Sequence, residues 1–253
     1  APVLAALRLL PKKLGQDWWT APSAKLTNRR EILKFTFSTN VSNTINLVAR
    51  DGELLWIGAL LTPLYAGYYK TAMTVINLIL LPINPFIDTT YPEMVRLFGE
   101  RKFAEVKRLL KHSTVLSGGW TIACALGLIV IGRPVLFDGL TIFGRTVQIF
   151  SPEFAPAFPL ILILLVGYGL ANTLFWNRTL LLSFEMADTA MLVSLIGMAL
   201  KTIGTVVLVP RLPYSTEAAI LSAYLAGTVG VMTWIGLSRL KSMTARSELG
   251  GSE

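Results

Sequence analysis

Six runs of predominantly apolar residues restrict this fold more than any other feature of the chain. They cover residues 32–61, 65–97, 113–131, 154–176, 189–209 and 217–237. Each is long enough to cross the hydrocarbon core, which takes about 20 residues in helical form. In lipid a helix satisfies its own backbone hydrogen bonds, so runs of this length read as spanning helices. The fold class they predict is all-α: a polytopic membrane bundle of about six transmembrane helices. Composition agrees, with 53% hydrophobic and 15% charged residues among 253. A soluble domain of this size lacks the interior for so much apolar surface, whereas a bilayer solvates the outer faces of a bundle.

The net charge of +8 does not point to nucleic acid, because the basic residues sit at the ends of the runs. On one side lie Arg8, Lys12, Lys13, Lys25, Arg29, Arg30 and Lys34, then Arg96, Arg101, Lys102, Lys107, Arg108 and Lys111. Arg178, Arg239, Lys241 and Arg246 join them, and the other side holds Arg133, Arg145 and Arg211. The positive-inside bias then puts both termini in the cytoplasm, in a multi-pass protein of the cytoplasmic (inner) membrane. Residues 1–30 form a cytoplasmic N-terminal segment that reads like the tail of a preceding helix. Residues 31–240 form the bundle and 241–253 a cytoplasmic tail. The start does not read as a secretory signal peptide, since Arg8, Lys12 and Lys13 follow the apolar stretch. Cys124, the single cysteine, reads as a small core residue.

Polar residues inside the runs carry more information than the apolar bulk. The first run holds Ser38, Thr39, Asn40, Ser42, Asn43, Thr44 and Asn46, then Arg50, Asp51 and Glu53. Such groups are costly against lipid, so they should face a bundle interior or a wet cavity. Asp51 is placed to face Lys70 on the next helix, or the charges snorkel at the interface. The second run contains Pro82, Asn84 and Pro85, with Asp88 one turn on. Two prolines free backbone carbonyls near mid-depth, which marks either a binding or moving part or a fixed kink. Lys201 stands in the middle of the fifth run. It is either a cation for an anionic group or one partner of a buried pair with a neighbouring carboxylate. Residues 100–111 have helical spacing, with Phe103, Val106 and Leu110 on one face, and read as a short amphipathic helix on the membrane surface. Ala223 with Gly227 and Ala226 with Gly230 have the spacing of close helix contacts.

Enzyme chemistry finds little to work with. One histidine, His112, and one cysteine cannot make a Cys/His metal set. There is no phosphate-binding glycine loop with a lysine, and no acidic pair for a metal and a nucleotide sugar. No catalytic residue, metal or cofactor is expected.

Gly67, Tyr69, Ala72 and Pro82, then Tyr91-Pro92 before a basic connector, with Asp51 on the preceding helix, form a recognisable pattern. It resembles the polysaccharide flippases, or polysaccharide biosynthesis proteins, of the multidrug/oligosaccharidyl-lipid/polysaccharide exporter superfamily. The specific motifs cover residues 45–110. The resemblance implies the C-terminal half of a 12–14-helix exporter, with an N-terminal half as a possible partner. The implied function is flipping of lipid-linked oligosaccharide across the membrane by alternating access. Arg50, Lys70, Lys201 and Asn84 would then hold the head group, and Asp51, Glu53 and Asp88 would couple an ion. The alternatives are a drug or cation antiporter of the same superfamily, a membrane enzyme acting on lipid-linked sugars, and a non-catalytic assembly partner.

Overall fold

A computed structural model describes residues 29–142 and 145–250. Contacts divide the chain after Lys34, and the helical bundle extends from Phe35 onward. Helices α1 (Arg29–Asp51) and α2 (Glu53–Leu60) meet at Gly52. Then come α3 (Pro63–Leu80), a 3-10 turn (Leu81–Ile83) and α4 (Asn84–Gly99). Helix α5 (Phe103–Gly127) passes through two π-helical stretches, Leu128–Gly132 and Pro134–Asp138, into a hairpin of β1 (Leu140–Ile142) and β2 (Arg145–Val147). The rest is α6 (Ala157–Thr173), α7 (Asn177–Ser183), α8 (Ala187–Leu208) and α9 (Thr216–Gly250).

Five helical segments among the described residues are long and apolar enough to cross a membrane: Pro63–Gly99, Phe103–Gly132, Ala157–Ser183, Ala187–Leu208 and Thr216–Thr244. They correspond to the last five predicted runs. The first run is also helical, as α1 and α2, but its polar first half leaves it short of the same apolar length. The large exposed side chains suit a lipid solvent: Leu78, Ile122, Val130, Val166, Leu200 and Trp234 all point outward.

Helix α6 is the centre of the bundle. Its Leu160, Ile161, Leu164 and Tyr168 pack with Ile57, Tyr69, Ile76 and Leu221 from α2, α3 and α9. The crossing of α6 and α9 is close enough to require glycine: a Cβ on Gly167 would lie 2.5 Å from the Cα of Ser222. At this crossing the Ser222 hydroxyl donates to the Ile163 carbonyl at 2.6 Å. Gly197 and Gly236 play the same part for α8 and α7 against α9. Gly227 and Gly230, expected at such contacts, meet nothing within 4 Å. Both are exposed, and Gly227 borders an open groove between α8 and α9 rather than a close helix contact.

A second core at the basic end joins Met94, Leu97, Val106, Leu110, Trp176 and Leu240. It corrects the expectation of a surface helix over residues 100–111. Phe103 begins one continuous helix that contains both the charged connector and the third span, and Val106 and Leu110 anchor it inward. No proline or glycine between Lys111 and Leu116 stops the helix from running on.

The proline break in the second span has a partner. Where the helix tightens at Leu81–Ile83, the Trp120 indole N–H donates to the Ile79 carbonyl at 2.9 Å. The break is thereby tied to α5. Trp120→Phe should lower the stability of the purified protein by about 1 kcal/mol, the net contribution of one hydrogen bond. A denaturation series in detergent would measure it, and an unchanged midpoint would show that water serves this carbonyl equally well.

Candidate functional site

The polar residues of α1 are used mainly for docking. Ser38 donates to Asp188 on α8 at 2.5 Å, and the Ser42 and Ser194 hydroxyls share a buried hydrogen bond at 3.3 Å. Arg178 on α7 donates to Asn43 and to the Thr39 carbonyl. Asn40 and Thr44 stay exposed. The side chains of Asn46, Arg50 and Asp51 lie outside the described residues, and so does the expected approach of Asp51 to Lys70.

Past the break at Gly52, α2 opens with Glu53, which points into the bundle. Its carboxylate pairs with the Lys201 ammonium from the middle of α8. The Lys201 Nζ also lies 3.9 Å from Oε1 of Glu217, in the first turn of α9. The three side chains are 1%, 1% and 0% exposed respectively for Glu53, Lys201 and Glu217. Thr205, one turn beyond Lys201, donates to Oε1 of Glu217 at 3.1 Å. The two carboxyl groups adjoin, and the Tyr69 hydroxyl lies near both. Among the described residues, the second oxygens of Glu53 and Glu217 and the Tyr69 hydroxyl have no hydrogen-bond partner.

This arrangement contains two carboxyls and one ammonium in a dry pocket. Fully ionised, it would carry one buried negative charge in excess, which costs several kcal/mol. One wall reaches the outside: Lys201 lies at the floor of an apolar groove of about 500 Å³ between α8 and α9, lined by Gly197, Gly204, Ala223 and Gly227. No cluster of three His, Cys, Asp or Glu residues suited to a metal ion occurs among the described residues.

The predicted site residues fall into two groups. Glu53 and Lys201 meet, so of the two readings of Lys201 the structure selects the buried ion pair. Lys70, Asn84 and Asp88 do not join them. These lie exposed on the long span formed by α3 and α4, together with Thr74 and Asn77. Lys70, Asn77 and Asn84 recur every two helical turns, and Asp88 follows one turn later, so they share one face. Of the four residues expected to hold the head group, Lys201 is enclosed while Lys70 and Asn84 are open, and the side chain of Arg50 lies outside the described residues.

Sequence reading missed Glu217, Thr205 and Tyr69. For Glu217 the available signal was a carboxylate opening an apolar run directly after the run that carries a lone lysine. Adjacent helices on a short connector are natural partners. Tyr69 is legible only as part of the family pattern, and nothing in it points to the carboxyls, since a buried aromatic is ordinary core.

Comparison with known proteins places the chain. It is 29% identical over 102 residues to the inner membrane protein YghQ of Escherichia coli (strain K12), a match that covers 40% of this chain and 28% of that protein. The chain therefore spans well under two thirds of the curated relative it matches. No solved structure matches it. The sequence profile of the polysaccharide biosynthesis proteins matches residues 10–137, half of the chain, and includes the Gly67–Pro92 pattern. With five helices fit to cross a bilayer behind that match, this multi-pass membrane protein belongs to the polysaccharide biosynthesis protein family.

Proposed function

We propose that this chain moves lipid-linked oligosaccharide across the cytoplasmic membrane by alternating access, for the synthesis of cell-surface polysaccharide. The observation that carries the reading is the exposed polar face of the α3–α4 span. Lys70, Thr74, Asn77, Asn84 and Asp88 are too costly to leave against hydrocarbon, so they line a wet passage. In a family devoted to polysaccharide synthesis, a passage with a cation and two amides suits a phosphate-linked sugar head group. The facing wall would come from a second half of the transporter. Both termini would lie in the cytoplasm, by the distribution of basic residues.

The Glu53–Lys201–Glu217 pocket supplies the coupling element in this scheme. It takes up and releases one proton as its exposure changes between two bundle arrangements. The protein itself carries out no bond-breaking step.

Deleting the gene should cause polyprenyl-linked oligosaccharide to accumulate on the cytoplasmic side. Complementation with Lys70→Gln/Asn84→Leu should restore membrane insertion but lower export by about tenfold, because a hydrogen bond to a charged group contributes about 1.5–3 kcal/mol. Normal export with this double variant would remove the α3–α4 face from the passage. An absence of accumulation in the deletion strain would overturn the flippase reading as a whole.

A further inference from the structure

We propose that the groove between α4 and α5, at the basic end of the bundle, is a binding site for an anionic phospholipid. Two adjoining cavities, of about 370 and 610 Å³, share Glu93, Leu109 and His112 as a common boundary. The inner one is walled by Ile83, Phe86, Leu116 and Phe175. The outer one is bordered by Arg108 and Lys111. An apolar slot thus runs continuously into a cationic mouth, which is the outline of an amphiphile with a negative head.

The charges at the mouth have a definite balance. Glu93 faces both cavities, but Arg96 holds it with two hydrogen bonds, at 2.6 and 2.9 Å. Glu105 lies 4.0 Å from Lys102, and Glu100 pairs with both Arg96 and Lys102. Lys102 and Arg96 hold the Glu100 carboxyl below the usual carboxylate range. Arg96 and Lys102 thus answer two of these three carboxylates, which leaves one net negative charge in the network against the two positive charges of Arg108 and Lys111. Arg108 and Lys111 make no ion pair among the described residues, and both are exposed. They offer a guanidinium and an ammonium, about one turn apart on α5, to a ligand that brings its own negative charge.

A phosphodiester fits this pair, because arginine presents two parallel donors to phosphate oxygens. The apolar slot then takes one acyl chain past Leu116. The occupant is a phospholipid rather than a peptide because the groove is formed by two segments long and apolar enough to cross a membrane, where lipid is the solvent. The site is separate from the α3–α4 passage residues and from the buried carboxyl–lysine pocket. It does not depend on the transport reading.

The test is lipid retention by the full chain in detergent, read by native mass spectrometry. Phosphatidylglycerol and phosphatidylcholine with identical acyl chains are offered at equal concentration. Phosphatidylglycerol should be retained at least about tenfold better, a difference of ~1.4 kcal/mol. Arg108→Gln/Lys111→Gln should abolish that preference, and Lys107→Gln, on a side chain outside both cavities, should preserve it. Leu116→Trp should fill the slot and lower retention while leaving the charges in place. Equal retention of the two lipids in the unaltered chain would overturn the proposal, and so would an equal loss with Lys107→Gln. A polyprenyl diphosphate that displaces phosphatidylglycerol at equal concentration would also overturn it, by assigning the groove to a transported lipid.

Discussion

Lys201→Met should lower the stability of the detergent-purified protein by about 3–5 kcal/mol, the usual result of removing one partner from a buried ion pair. The substitution keeps the volume and apolar stem of the side chain. It leaves Glu53 and Glu217 facing each other with no cation, both inside the bundle. The thermal midpoint and the yield of folded protein from membranes would both report it. Adding Glu53→Gln should recover a large part of the loss, because one of the two stranded charges disappears. The triple variant Glu53→Gln/Lys201→Met/Glu217→Gln should come close to the original stability, since a buried ion network replaced by neutral groups is often neutral overall. Export should stay low in all three variants, because none retains the lysine that balances the pocket's carboxyls. If Lys201→Met melts like the original protein, the ion pair is not present in the folded state. If the triple variant exports normally, the pocket is structural and does not couple.

The second large effect is expected at Gly167. Its Cβ in any other residue would lie 2.5 Å from the Cα of Ser222 and 2.8 Å from the Ser222 carbonyl oxygen. Those are backbone atoms, so no rotamer change relieves the clash. Gly167→Leu should force α6 and α9 apart, break the Ser222–Ile163 hydrogen bond and cost about 3 kcal/mol, the upper end of the overpacking range. Gly227→Ala, with nothing within 4 Å, should stay within about 0.5 kcal/mol of the parent. The comparison is a melting experiment on two glycine variants in the same detergent. Equal midpoints would mean that the α6–α9 crossing is looser than the distances state.

The contrast between these glycines shows where sequence reading stops. Apolar runs are legible because lipid imposes a minimum length that few soluble helices reach, and the last five runs return as spanning helices. Which face of a helix meets which neighbour is not written in one run alone. The spacing of Ala223 and Gly227 is the same as that of Gly167 and Ala171, yet only Gly167 meets a neighbouring helix, and Gly197 carries a crossing with no such motif. The same limit applied to charge. Lys201 was conspicuous because lysine is rare at that depth. Its second partner, Glu217, sat at the start of a run, where a carboxylate at a helix N-terminus is unremarkable. The carbonyl freed near Pro82 was legible, but its donor, Trp120, lies 41 residues away.

Helix α1 attaches to the bundle differently from the others. Its hold on α7 and α8 is made by Ser38, Ser42, Asn43 and the Thr39 carbonyl, with no buried aliphatic side chain among its described residues. Interlocked methyl groups resist sliding because each knob must leave its hole. Short hydroxyl and amide arms instead swap acceptors along a polar seam, and water stands in for either side at little cost. Such a seam is strong when dry and weak when wet. The adhesion of α1 is therefore governed by hydration: a wet passage reaching this seam would release the helix without unpacking any of the core behind it.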